Sequence, residues 1–236
     1  MSRPLNVLVT GATGFIGQHL VKQLVSQGHN VTILARKKEA LEKFKGLSIS
    51  LIQGDIQDNY TLLKACEDKD AVYHLAGVIA YRRADRGLME QVNVKGTRKI
   101  VDACITHKVD KFIYLSSVVA IGASFDGKPL NENSPYNIEH LDLGYFQTKH
   151  EAEKIVVDAY KEHGLKTYIL NPSTIYGEGD ATKGSRKTQV KVAKGKFPFY
   201  TPGGVNITSI KDVLYCLDVV AEKGRPGERY IVAGDN

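Results

Sequence analysis

Short apolar runs alternate along the chain with stretches whose apolar residues recur every three or four positions. LNVLV (5–9), VTILA (31–35), ISLIQ (49–53), AVYHLA (71–76), KFIYLS (111–116) and KTYIL (166–170) have the length and composition of strands. Between them, the segment 15–27 carries a helical apolar stripe and stops at Gly28. A short polar helix is expected at 39–45, another at 60–66, and long ones at about 84–106 and 145–163. Strands that are apolar throughout and separated by helices predict a parallel sheet covered on both faces, an α/β fold. Six of them fit the doubly wound order 3-2-1-4-5-6, and RYIVA (229–233) can add a seventh.

The character changes after Asn171. The segment 177–209 is basic and rich in glycine and proline, with one helix expected at 184–195 and another at 210–222. The domain reading is therefore 1–171 and, at 172–236, a small lobe too short to bury a core of its own. Composition narrows the function. Of 236 residues, 42% are apolar and 25% charged, which excludes a disordered or fibrous chain. The longest apolar run, Val213 to Leu217, is far short of the ~20 residues of a membrane helix, and no signal peptide precedes the first glycines. Cys66, Cys104 and Cys216 are scattered and form no CxxC pair, which predicts reduced thiols in a cytoplasmic protein and no metal site. The net charge of +6 fits an anionic small molecule, and the absence of Trp and of basic-aromatic interleaving argues against nucleic acid.

The strongest chemical signal is TGATGFIG (10–17), with Gly11, Gly14 and Gly17 between a strand and a helix. Glycines there permit a tight turn and close approach to a pyrophosphate, and the helix start presents free N–H groups to it. The GxxGxxG spacing, followed in order by GDI (54–56), HLAG (74–77), NVKGT (93–97), LSSVVAIG (115–122), YFQTK (145–149) and NPSTIYG (171–177), resembles the extended branch of the short-chain dehydrogenase/reductase superfamily. That branch includes epimerases and dehydratases of nucleotide sugars, dihydroflavonol-type reductases and 3β-hydroxysteroid dehydrogenases. The resemblance implies a Rossmann domain with a small C-terminal substrate lobe. It also implies an NAD(P) site made of Gly11, Thr13, Gly14, Phe15, Ile16, Gly17, Arg36, Lys37, Asp55, Ile56, Leu75, Ala76, Gly77, Tyr145, Lys149, Pro172 and Thr174.

Two YxxxK pairs occur, Tyr60/Lys64 and Tyr145/Lys149. The first precedes the fourth strand, on the adenine side, and is read as a decoy. The second opens the helix between strands five and six, where the resemblance places the active site. Reduction of a carbonyl needs a proton as well as a hydride, and a phenol of ordinary pKa ~10 is a poor acid/base near neutrality. A nearby ammonium is expected to lower that pKa. Counting back from Gly122, the family pattern assigns the substrate-orienting hydroxyl to Ser117 rather than Ser116. The second strand ends ILARKK, with Arg36 and Lys37 where NAD sites usually carry an acid, so NADP(H) is favoured over NAD(H). Asn93 is expected to support the helix backbone or a water, and His74 to be a satisfied core residue. The run Lys183, Arg186, Lys187, Lys191, Lys194, Lys196 reads either as a solvated face or as a site for an anionic substrate group.

The expected activity is NADP(H)-dependent interconversion of a carbonyl and a hydroxyl on a small molecule through Ser117, Tyr145 and Lys149. The alternatives are a nucleotide-sugar epimerase/dehydratase that retains its cofactor, and a regulatory NADP-binding protein without chemistry. A homodimer through the long helices is expected from the resemblance. The chain ends at ERYIVAGDN, where such relatives continue, so it reads either as a compact variant or as a shortened chain. A shortened lobe would keep cofactor binding, weaken turnover and expose apolar surface near Val213 to Leu217.

Overall fold

The computed structural model describes residues 3–180, 190–196 and 205–234. Its strands are β1 (Asn6–Thr10), β2 (Asn30–Ala35), β3 (Ile49–Gln53), β4 (Ala71–His74), β5 (Lys111–Leu115), β6 (Thr167–Pro172), β7 (Thr174–Tyr176), β8 (Ile207–Ser209) and β9 (Arg229–Val232). Seven of them make one sheet in the order β3-β2-β1-β4-β5-β6-β9, with every neighbouring pair parallel. The predicted six-strand order is present, and the seventh strand lies beside β6.

Alternation along each strand divides the core into two layers. Val7, Val9, Ile33, Ile113 and Leu170 face one side, where they meet Leu20, Val21 and Leu24 of α1 (Phe15–Ser26). Leu8, Leu34, Val72, Phe112, Tyr114 and Ile169 face the other. There they pack on α2 (Asn59–Cys66), α4 (Gly96–Thr106) and α5 (Gly144–His163). Local signals set the helix ends: an Asp58 carboxylate oxygen accepts from Tyr60 N at the start of α2, and Gly164, at φ +70°, closes α5.

The helix expected at 84–106 is compound. A 3-10 turn (Arg83–Asp85) leads into α3 (Arg86–Met89), and a π-helical segment (Glu90–Lys95) joins α3 to α4. The extra residue in that turn rotates the helix so that Asn93 points inward beneath the end of β4. The polar helix after β2 is 3-10 (Lys38–Phe44), because only Ala40 and Phe44 anchor it. Of the helix expected at 184–195, residues 190–193 are helical; 184–189 lie outside the described residues.

Beyond β6, β7 and β8 form a two-stranded parallel pair, and α6 (Ile210–Lys223) returns to the sheet. The apolar exposure expected of a shortened lobe near Val213 to Leu217 is confined within that segment to Tyr215. Val213 and Leu217 are fully buried in the α1-side core, and Tyr215 turns to solvent. The reason is the helical stripe Ile210, Val213, Leu217, Val220, which covers the face of β5 and β6 next to α1. No helix among the described residues is long and apolar enough to cross a membrane. The three thiols are free, with Cys66 and Cys104 buried 3.8 Å apart between α2 and α4.

Candidate functional site

The sequence order reverses at β1, whose neighbours are β2 and β4, and a crevice opens at the carboxyl ends of these strands. The glycine-rich turn forms its floor. Gly11 has φ +70°, and a Cβ there would stand 2.6 Å from Ala76 N. A Cβ on Gly17 would stand 2.3 Å from the Gly11 carbonyl oxygen. Only glycine lets α1 start this close to the strand ends, with Gly14 as its N-cap and no side-chain cap hydrogen bond there. The cavity above measures about 420 Å³. Gly11, Thr13, Gly14, Phe15, Ile16 and Gly17 line it from the turn, Arg36 from the end of β2, Asp55 and Ile56 after β3, and Leu75, Ala76 and Gly77 after β4.

Lys37 does not line the cavity. Its backbone is extended at the entrance of the 3-10 helix and its side chain lies in solvent, so the basic character of that turn reaches the cavity through Arg36. Lys43, which also stands outside the cavity lining, donates from Nζ to Thr13 O at 2.8 Å, directly on the glycine-rich turn. Its only sequence signal was a position five residues beyond the ARKK corner. Thr10, Gly54 and Gln57 also line the cavity without having been singled out.

A second cavity of about 300 Å³ continues the first, sharing Phe15, Ile16, Leu75, Gly77 and Leu115. It brings together Ser117, Tyr145, Lys149, Pro172 and Thr174 from three separate parts of the chain. The two serines after β5 both line this cavity but differ in their contacts. Ser116 is buried and donates to Glu153 Oε2 at 2.6 Å, whereas Ser117 caps the 3-10 turn Val118–Ala120 and faces the cavity. Tyr60 and Lys64 lie exposed on α2, away from both cavities.

Tyr145 and Lys149 sit one turn apart on α5. The expected depression of the phenol by the ammonium is not what the protein alone produces. Burial, reinforced by Tyr81, pushes the Tyr145 phenol well above its usual range, with the Ser117 hydroxyl pulling the other way. Lys149 Nζ instead donates to Leu115 O at 2.7 Å and to Tyr114 Oη at 3.3 Å, over the Tyr114 ring. Burial lowers the Lys149 ammonium to about 8, opposed by the Glu153 carboxylate.

Beneath these groups lies a saturated polar network. Thr97 Oγ1 donates to Asn93 O at 2.6 Å, which leaves it to accept from His74 Nε2 at 3.0 Å. His74 Nδ1 then accepts from Thr10 Oγ1 at 2.6 Å. His74 is fully buried and held neutral, its pKa driven down to about 3 by burial and by Lys149. Asn93 accepts from Val78 N at 2.8 Å and donates to Val78 O and Thr148 Oγ1, fixing the loop after β4 to α5. His150 is likewise structural, stacked on Tyr136 with its Nδ1 3.1 Å from Ala120 O. Of the basic run, Lys183, Arg186 and Lys187 lie outside the described residues; Lys191, Lys194 and Lys196 are exposed.

An elongated dinucleotide fits this arrangement. The groove runs unbroken from Arg36 past the glycine turn to Tyr145 and Lys149. On the wall of the second cavity, the buried Ser173 hydroxyl has no hydrogen-bond partner among the described residues.

A profile of the 3-beta hydroxysteroid dehydrogenase/isomerase family matches residues 8–221. The chain is 29% identical over 236 residues to sterol demethylase protein B of Methylococcus capsulatus, the match covering 98% of this chain and 70% of that protein. It is 33% identical over 182 residues to 3-beta-hydroxysteroid dehydrogenase of Mycolicibacterium neoaurum, covering 75% of this chain and 49% of that protein. Among solved structures, gox2253 superposes with a TM-score of 0.90 at 33% identity, over 98% of this chain and 70% of that one. A UDP-N-acetylglucosamine 4-epimerase from Methanobrevibacter ruminantium M1 superposes with a TM-score of 0.85 at 25% identity, over 98% and 77%. With the glycine turn, the sheet order and a profile match over most of its length, the chain belongs to the 3-beta hydroxysteroid dehydrogenase/isomerase family of extended short-chain dehydrogenases/reductases, whose members are NAD(P)-dependent reductases, epimerases and dehydratases.

Proposed function

We propose that this protein is an NADP(H)-dependent oxidoreductase that interconverts a carbonyl and a hydroxyl on a small molecule, with Ser117, Tyr145 and Lys149 as its catalytic residues. The observation that carries the reading is the convergence of these three side chains on one cavity continuous with the glycine-turn groove. When bound, the nicotinamide supplies or accepts the hydride. The chain's own residues handle the proton and the geometry. Tyr145, held protonated by burial, is suited to donate its phenolic proton to the substrate oxygen in the reducing direction. Ser117, beside it, hydrogen-bonds that oxygen and orients the reacting carbon. Lys149 brings positive charge to the same cavity and favours the phenolate left after transfer.

Two features support a preference for NADP(H). Arg36 lines the cavity at the end of β2 with no carboxylate paired to it among the described residues, and Lys43 adds a second cation on the glycine turn. The walls near Tyr145 support an apolar carbonyl substrate over a sugar nucleotide: Ile79, Tyr81, Val118, Val119 and Ile175 surround the catalytic side chains. The outer faces of α4 and α5 are the surfaces we assign to a homodimer, to be checked by mass in solution at micromolar concentration.

The deciding experiment pairs a reduction assay on apolar ketones with NADPH titration. Tyr145→Phe should lose turnover by about 100-fold or more while NADPH affinity changes little. Equal turnover by the variant would overturn the assignment.

A further inference from the structure

Behind Ser117 and Lys149 lies a buried carboxylate that the proposed mechanism does not use. Glu153 follows Lys149 by one turn of α5 and is 3% exposed. Its Oε2 accepts from Ser116 Oγ at 2.6 Å and from Asn171 Nδ2 at 2.7 Å. Its Oε1 accepts from Arg229 Nη1, on β9, at 3.0 Å. The same Asn171 nitrogen also donates to Ser117 O at 3.0 Å. One carboxylate thus holds both residues of the Ser116–Ser117 corner, Ser116 by its hydroxyl and Ser117 by its carbonyl through Asn171. Burying an ionised carboxylate is costly unless it is fully hydrogen-bonded, and here charged and neutral donors meet it from β5, β6 and β9.

We infer that Glu153 is the positioning residue of the active site, a buried anionic anchor that holds the Ser117 corner from behind and stands one helical turn from Lys149. This rests on the catalytic reading of Ser117 and Lys149 given above. The groups facing Lys149 are few. From α5 they are Tyr145 and Glu153, from β4 neutral His74, and from β5 the protonated Tyr114. Asp180 lines the same cavity, and Arg229 stands behind Glu153. Glu153 is the carboxylate that acts on the lysine, partly offsetting the burial, and under both influences the ammonium titrates at about 8. Arg229 pairs with the other oxygen of the same carboxylate at 3.0 Å.

The sign of the effect follows. A polyanionic cofactor prefers the ammonium, so NADPH affinity should be level below about pH 8 and fall as pH rises through that value. Glutamine at 153 keeps acceptors for Ser116 and Arg229 but removes the charge, so Lys149 should deprotonate about one pH unit earlier. The test is NADPH fluorescence titration between pH 7 and 9.5, which involves no turnover. Glu153→Gln should bind about fivefold more weakly than wild type at pH 8 and about twofold more weakly at pH 7. Arg229→Gln, which frees the carboxylate's field, should shift the midpoint upward, the opposite direction. Lys149→Met should abolish the pH dependence. Opposite shifts in two variants of one ion pair do not arise from loosened packing, and if Glu153→Gln does not fold, the upward shift in Arg229→Gln carries the test. Folded variants that track wild type at every pH, that shift together, or a midpoint that survives in Lys149→Met would overturn the inference. Failure of the catalytic reading would show separately, as turnover retained by Tyr145→Phe.

Discussion

Substituting alanine at Gly17 puts a methyl carbon 2.3 Å from Gly11 O and 2.7 and 2.8 Å from Ala12 backbone atoms, where ordinary contact begins near 3.4 Å. All the obstructing atoms are backbone, so no side chain can rotate away. Relief requires α1 to move by about 1 Å from the turn, an overpacking cost of about 1–3 kcal/mol. For a chain of this length that cost corresponds to a fall in Tm of about 2–12 °C. The displaced helix carries Phe15 and Ile16, which line the groove, and NADPH affinity should drop about tenfold or more, ~1.4 kcal/mol or above. Gly87→Ala supplies the contrast. That glycine, exposed in α3, has no atom within 4 Å of a built Cβ and no left-handed backbone, so the same chemical change should raise Tm slightly, by up to ~1 kcal/mol of helix propensity, with NADPH binding unaltered. The assays are thermal unfolding and NADPH titration of both variants. A Gly17→Ala protein with wild-type Tm and wild-type affinity would refute the claim that close packing of α1 on the turn is what requires glycine.

Arg36→Ala should cost ~1.5–3 kcal/mol of NADPH affinity and leave NADH nearly unchanged, narrowing their ratio by one to two decades; equal starting affinities for the two would sink the NADP(H) assignment. Leu217→Ala should destabilise by about 2–5 kcal/mol in urea unfolding, because the residue is fully buried between α6 and the sheet; a loss below ~0.5 kcal/mol would contradict its packing. Asn93→Ala removes three bonds that fix the loop after β4 and should lower kcat more than it changes NADPH affinity, measured in parallel assays.

Some of this was legible in the chain and some was not, for physical reasons. The sheet order could be read because the strands are short, mostly apolar runs and most of the crossovers carry a helical stripe, properties of local sequence. The glycine turn could be read because only one residue type satisfies its backbone. Val213 and Leu217 misled because an apolar run does not reveal what covers it, and their partners come from α1 and the sheet. The contact of Lys43 with the glycine turn was not legible because the 3-10 geometry after β2, which no periodicity predicted, carries it to Thr13 O. Nor did any spacing rule connect Glu153 with Arg229, 76 residues away in sequence and joined only by the docking of β9.

That last strand has a consequence for how the protein comes into being on the ribosome. The glycine turn and its flanking strands belong to the first third of the chain and can pair as soon as they emerge. The Ser117 corner stays without its full set of charge partners until Arg229 has been synthesised and β9 has docked on β6. A nascent chain paused before that point therefore holds a buried glutamate awaiting its arginine. The nucleotide half of the groove would mature first and the chemical half last, a vectorial order written into the position of one strand.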